Sequence, residues 1–369
     1  LVGSEMCIRD RRRRRLPRSR FRKRMCSFVT SVENASVDDF GLDKSEELET
    51  GEFYALANEQ GAAFGEGHAK SILLGEHSVV YGKPAIALPV TSLRTMAWID
   101  RVEDSPVLFS MDGEVIDIDE LPERFASIAA ALRAGLRTFG IPERDLLVRL
   151  RSGIPPAAGL GGSAAVAHAL IDAVRDLADG TLTERQRFDL VQEAERLAHG
   201  NPSGLDATVA RASRPVYFKQ GEFHPLKVAK KMWLVLGDTG VRGSTSLAVA
   251  RVRGFVDSHR VHGQELLDHL GQLADGAVHN LAKGDFARLG HRMDSAQEAL
   301  EELGVGHESI TDLVTAARLA GAHGAKLTGA GCGGCVMALA ESADHAELIS
   351  HAMMGANAVA TWTVEVNPS

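Results

Sequence analysis

The stretch Pro155-Pro156-Ala157-Ala158-Gly159-Leu160-Gly161-Gly162-Ser163-Ala164-Ala165 constrains this chain more than any other. It sets three glycines and a serine between a segment that reads as a strand and one that reads as a helix. Val148 to Arg151 alternates apolar and basic residues, the period of a half-buried strand. Ser163 to Leu177 is rich in Ala, Leu, Val and Ile, contains no Gly or Pro, and reads as a buried helix. A glycine-rich turn that feeds a helix start exposes unpaired backbone N–H groups at the positive end of the helix dipole, which suits phosphate. Glycine also lets the backbone approach an anion closely and take positive φ. A tight strand-to-helix turn with no ligand has the same composition.

Two common phosphate loops fit poorly. A P-loop needs Gly, four residues, then Gly-Lys-Ser/Thr. The nearest approach, Gly75 to Gly82-Lys83-Pro84, has the wrong spacing and a proline in place of the hydroxyl. Gly159, Gly161 and Ala164 match the loose dinucleotide fingerprint, which also asks for an acidic residue ending the next strand. Asp179 is near the right distance, but the chain there reads as a helix end followed by Gly180. A dehydrogenase is therefore a minor alternative.

Two further segments turn the loop into a constellation. One is Gly67-His68-Ala69-Lys70-Ser71-Ile72-Leu73-Leu74-Gly75-Glu76-His77-Ser78-Val79-Val80-Tyr81-Gly82-Lys83. The other is Lys326-Leu327-Thr328-Gly329-Ala330-Gly331-Cys332-Gly333-Gly334-Cys335. With the central loop they resemble, in order, the three motifs of the GHMP kinases, the family of galactose, homoserine, mevalonate and phosphomevalonate kinases. A fourth run, Glu195-Arg196-Leu197-Ala198-His199-Gly200-Asn201-Pro202-Ser203-Gly204-Leu205-Asp206, looks most like the mevalonate kinase branch. The resemblance covers the chain from about Gly67 to Val366.

The resemblance implies an α+β, two-domain GHMP kinase fold with the active site in the interdomain cleft. Its ATP-binding domain would span residues 61–228 and its C-terminal domain residues 229–369. It implies ATP and Mg2+ as cofactors and mevalonate as the substrate, phosphorylated to 5-phosphomevalonate for isoprenoid synthesis. It allows a homodimer in the cytoplasm. By motif match, Pro156, Ala157, Ala158, Gly159, Leu160, Gly161, Gly162, Ser163 and Ala164 cradle ATP, and Ser163 and Glu195 hold Mg2+. Asp206 is the catalytic aspartate and Lys70 its partner. Glu76, His77, Thr245, Gly329 and Ala330 fall at substrate positions.

Some positions depart from the family. Gly162 stands where serine is usual, and Gly240 where the animal enzymes carry lysine. Arg242 is displaced from that lysine by two residues; an arginine binds a carboxylate bidentately, so it is a candidate for the mevalonate carboxylate.

Plainer readings sit beside these roles. Glu195 could lie on a solvated helix face, like Glu193. Lys70 could be a strand-edge surface lysine, the commoner fate of lysine. Asp206 could be an N-cap for Ala207-Thr208-Val209-Ala210, and Arg242 a surface arginine. The rivals for the whole chain are another GHMP small-molecule kinase, acting on phosphomevalonate or homoserine, and a catalytically silent sensor of the same fold. Lys70, Ser163, Glu195 and Asp206 together speak against the sensor, which needs neither metal ligands nor proton handling.

The net charge of −8 disfavours nucleic acid as a partner, and no apolar run is long enough to cross a membrane. The charge is uneven. Residues 1–25 hold eleven Arg and Lys against Glu5 and Asp10. Leu1 to Arg13 resembles translated adapter or vector sequence, so residues 1–24 are expected to be non-native ahead of a start near Met25. Residues 26–60 are acidic and polar and are expected to be a disordered leader. The four cysteines form no disulfide framework in a chain this long. Cys332-x-x-Cys335 lacks the further ligands zinc would need; a structural role is preferred over a redox one.

Elements follow from periodicity and punctuation. Residues 68–101 read as strands, Glu123–Phe139 as a helix closed by Gly140, and Thr183–His199 as a helix opened by a Thr183-x-x-Gln186 capping box. Val216–Lys227 reads as a hairpin and Met232–Leu236 as a strand. Helices are expected over Ser244–Arg253, Gln264–Lys283, Phe286–Leu303, Glu308–Ala320 and Ala343–Met354. Strands are expected at Cys335–Ala340 and Ala358–Val366.

Overall fold

Two long segments start the first sheet. Ala63–Leu74 forms β1 and Ala85–Arg101 forms β2, antiparallel from Ala63 opposite Ile99 to Leu74 opposite Ile86. The register shifts between His68, opposite Arg94, and Ala69, opposite Val90, just before Lys70. The structure, a computed structural model, describes residues 62–111, 114–200 and 202–369. The basic head and acidic leader expected over residues 1–60 lie outside the described residues.

Next come β3 (Val107–Met111) and β4 (Glu114–Asp117), strands too short to show a period in the sequence. A 3-10 turn at Glu123–Phe125 leads into helix α1 (Ala126–Phe139), which stops at Gly140 in the left-handed conformation. Strand β5 (Leu146–Ser152) pairs parallel with β3 and antiparallel with β2. Helix α2 (Gly162–Leu177) follows the glycine loop. Helix α3 (Glu184–His199) opens on the expected capping box, with Thr183 N–H donating to Gln186 Oε1 at 3.0 Å and Gln186 N–H to Thr183 Oγ1 at 3.2 Å. The short helix α4 (Leu205–Val209) precedes the hairpin of β6 (Val216–Lys219) and β7 (Glu222–Pro225). Among the described residues these seven strands form one sheet in the order β4-β3-β5-β2-β6-β7, with β1 on β2.

The chain then builds a second sheet. Strand β8 (Met232–Asp238) is followed by helices α5 (Thr245–Ser258), α6 (Arg260–Lys283), α7 (Phe286–Glu302) and α8 (Glu308–Leu319). Strands β9 (Ala325–Thr328) and β10 (Cys335–Ala340), helix α9 (Ala343–Gly355) and strand β11 (Ala360–Val366) complete it, in the antiparallel order β11-β8-β10-β9. The break expected between Arg253 and Gln264 is nearly absent. Gly254 and Gly263 lie inside helices, and Gly263 serves packing, since a Cβ there would stand 2.9 Å from Val256 Cα.

The two sheets share one core. Leu73, Leu74 and Leu88 of the first meet Leu234, Leu236 and Leu339 of the second, with Leu267 and Leu270 of α6. A second cluster lies under α1 and α2. Helix α2 presses directly onto β1. A Cβ on Gly65 would lie 2.1 Å from Ala169 O, and one on Gly67 2.2 Å from Ala165 O. Any side chain there would lift the helix off the strand and move the glycine loop at its start.

Candidate active site

The central loop is shaped by alternation. Ala158 and Leu160 point into the core, each about 1 % exposed. Between and beside them, Ala157, Gly159 and Gly161 take positive φ of 54°, 80° and 71°. The buried pair anchors the loop, and the left-handed residues turn its backbone so that α2 starts at Gly161, its N-cap. Gly161 has no side chain to cap the helix, and the positive end of the helix dipole lies at this loop.

Lys70 lies across this loop. Its backbone N–H donates to Leu160 O at 3.0 Å, and its Nζ reaches Gly159 O at 3.3 Å and Asp206 Oδ1 at 3.1 Å. The lysine side chain is 5 % exposed and the aspartate 33 %. Lys70 is thus a buried cation inside β1, not a strand-edge surface residue. Asp206 is not an N-cap: Gly204 takes that position, and Asp206 sits within the first turn of α4. A Cβ on Gly161 would stand 2.7 Å from Lys70 Cγ, so the glycine makes room for the lysine stem. Gly161→Ala should therefore lower kcat and melting temperature together: a left-handed non-glycine residue costs about 1–2 kcal/mol, and the methyl displaces Lys70. Gly162→Ala is the control, because its nearest neighbour would be Ile154 Cγ2 at 3.6 Å. Equal activity in both variants would show that Lys70 does not depend on this space.

The third motif packs backbone to backbone on the central loop and meets the first motif through side chains. Gly329, Gly331, Cys332, Gly333 and Gly334 all have positive φ. A Cβ on Gly329 would lie 3.0 Å from Gly159 Cα. Side chains stitch the rest. Thr328 Oγ1 donates to Ile72 O and accepts from Ile72 N–H, both at 3.0 Å, and lies 2.9 Å from Ser71 Oγ. Thr239 Oγ1 donates to Gly334 O at 2.7 Å. His77 Nε2 donates to Ala330 O at 2.8 Å; burial lowers the His77 pKa, leaving the ring neutral.

Several expected site residues have other occupations. The Glu76 carboxylate is fully buried and paired with Lys326 Nζ, itself fully buried. Burial raises the Glu76 pKa and lowers that of Lys326. Glu76 therefore fastens the first motif to the third. Arg242 Nη1 lies 2.9 Å from both oxygens of Asp238. Thr245 is exposed at the start of α5, behind the Ser244 cap. Glu195 is buried on α3, whereas Glu193 is exposed and paired with Arg137, so the two do not share a solvated face. Ser163 is half-buried in the first turn of α2. Cys335 is buried in β10, with its thiol pKa raised by burial, and Cys332 accepts from Arg251 Nη1 at 3.4 Å. Sequence reasoning missed Lys326, Thr328 and Ser71 as partners, although each lies inside a quoted motif.

A glycine loop at a helix start, a buried lysine beside a partly exposed aspartate and a second glycine turn against the first are features that a small-molecule kinase needs. The chain belongs to the GHMP kinase family. The family model for the GHMP kinases N terminal domain matches residues 126–213, and that for the GHMP kinases C terminal matches residues 277–359. Mevalonate kinase from Thermococcus gammatolerans is 38 % identical over 293 residues, covering 74 % of this chain and 87 % of the relative. Mevalonate kinase from Pyrococcus abyssi is 37 % identical with the same coverage. Among solved structures, L. major mevalonate kinase in complex with R-mevalonate aligns with a TM-score of 0.73 at 26 % identity, covering 84 % of this chain and 96 % of that one.

Proposed function

We propose that this chain transfers the γ-phosphoryl group of ATP to the 5-hydroxyl group of mevalonate, giving ADP and 5-phosphomevalonate. The observation that carries this reading is the Lys70–Asp206 pair, held at 3.1 Å beside the start of α2. Phosphoryl transfer asks a protein mainly for positioning and electrostatic stabilisation. The backbone N–H groups from Gly159 to Ala164 take the phosphates. Asp206 accepts the proton of the hydroxyl as its oxygen attacks phosphorus. Lys70, 3.1 Å from the carboxylate, offsets negative charge at the attacking oxygen. Arg242 takes the mevalonate carboxylate on its solvent side, because its side chain is 39 % exposed while Asp238 holds Nη1. His77 acts through Ala330, whose carbonyl it fixes, and Thr245 closes the substrate end of the site.

The residues suit Mg2+. The ion is usually bound by one or two carboxylates together with phosphate oxygens and water. Glu195 supplies a buried carboxylate from α3, and Ser163 a hydroxyl from the helix α3 packs on. When bound, the metal neutralises charge on the ATP phosphates. Glu195→Gln and Ser163→Ala should each raise the Mg2+ concentration needed for half-maximal rate, with little change in the mevalonate KM. Wild-type metal dependence in both variants would place the metal on other oxygens.

The substrate reading is tested by ATP consumption with mevalonate, phosphomevalonate, homoserine and galactose offered separately. The expected result is a kcat/KM for mevalonate far above the other three. Preference for another alcohol would keep the family and overturn the substrate.

A further inference from the structure

Asp206 rides on a helix of five residues, Leu205–Val209. A helix so short has no stability of its own in water, and its N-cap Gly204 brings no side-chain oxygen. Contacts from outside must hold it. Leu205 and Val209 pack with Ile72, Ala85 and Ala87. His68 N–H, on β1, donates to Ala210 O at 3.2 Å. A further tether is His168, on α2, whose Nε2 lies 2.7 Å from Ala207 O.

That bond fixes the state of the ring. A carbonyl only accepts, so Nε2 carries the proton. Burial, the largest cause, brings the His168 pKa down to about 4, and Arg211 and Arg187 push the same way, so the ring is neutral at physiological pH. Both arginines pair with Asp172, one turn further along α2. His168 is only 1 % exposed, and its Nδ1 has no hydrogen-bond partner. A buried polar atom left unmade costs stability, and a leucine would fill similar space without it. What leucine cannot do is donate to Ala207 O, one residue from Asp206.

We propose that His168 is a positioning residue for the Asp206 carboxylate, acting through its hydrogen bond to the Ala207 carbonyl. The inference rests on the kinase reading above, and wild-type turnover of mevalonate tests that reading separately. His168→Leu should lower kcat about 10- to 100-fold, since a misplacement of about 1 Å can cost about 10²-fold, while the KM for ATP stays near wild type. His168→Gln, whose amide nitrogen reaches the place of Nε2, should restore most of the rate. His168→Asn, one methylene shorter, should not. With Asp206→Asn already in place, His168→Leu should cost little more, because the carboxylate it positions is gone. A wild-type kcat in His168→Leu, an equal loss with and without the Asp206 carboxylate, or Asn restoring as well as Gln would each overturn the proposal. If His168→Leu does not fold, the Gln and Asn variants, made with and without Asp206→Asn, decide the same question.

Discussion

Asp206→Asn is expected to lower kcat by about 10²–10⁴-fold or more, the usual range for losing a general base, while the protein stays folded and still binds ATP. The substitution keeps size and shape but removes the acceptor for the hydroxyl proton and the charge that faces Lys70. The fold should tolerate it, because the aspartate is a third exposed and the helix is held by the apolar Leu205 and Val209. Lys70→Met should also lower kcat, since it removes the cation 3.1 Å from the carboxylate. Groups that act as one unit are far from additive. The double variant should therefore lose much less than the product of the single losses. Strict additivity would mean that the ion pair is structural and that the two residues contribute separately.

Lys326→Met should be the most destabilising single change at the site. It leaves the Glu76 carboxylate fully buried with no cation beside it. Breaking a buried pair by removing one partner typically costs about 3–5 kcal/mol. The variant also has a predictable pH dependence. Burial raises the Glu76 pKa, and without Lys326 nothing opposes that shift so closely. A carboxyl whose folded pKa lies above its unfolded value contributes stability that is full below the unfolded pKa and is lost as pH rises through the folded one. The deficit of Lys326→Met relative to the wild type should thus be smaller in mild acid than at neutral pH. Glu76→Leu combined with Lys326→Met should recover much of the loss, because an apolar pair of similar volume often replaces a buried ion pair at little cost. Urea unfolding at two pH values measures all three quantities. A Lys326→Met variant as stable as the wild type would contradict the role of this pair as the fastening between the first and third motifs.

The parts of this fold that were legible in the sequence are those whose causes are local. The Thr183–Gln186 capping box, Gly140 after α1 and the glycine loop before α2 are written within a few residues, and each appears where the pattern puts it. Strands β3, β4 and β9 are four or five residues long, and β9 runs straight into a glycine turn, so none has room to show an alternation. The site divides the same way. Lys70 and Asp206 each stand out within a motif, but their contact joins two segments whose approach depends on Gly161 clearing the lysine stem. The Glu76–Lys326 pair spans 250 positions. No local rule says that one lysine of a motif turns inward to meet a carboxylate from the far end of the chain. For the same reason Glu76 looks free to meet a substrate in the sequence, whereas in the fold Lys326 takes up its charge.

The central claim is a chemical one: ATP loses its terminal phosphoryl group to the primary alcohol of mevalonate. Phosphorus NMR of one reaction mixture tests it most directly. With ATP, Mg2+ and mevalonate, the account predicts ADP and a single phosphomonoester on the 5-oxygen, formed in equal amounts and at least about 10²-fold more slowly with Asp206→Asn. Unchanged ATP, or ADP with inorganic phosphate and no phosphomonoester, would contradict it.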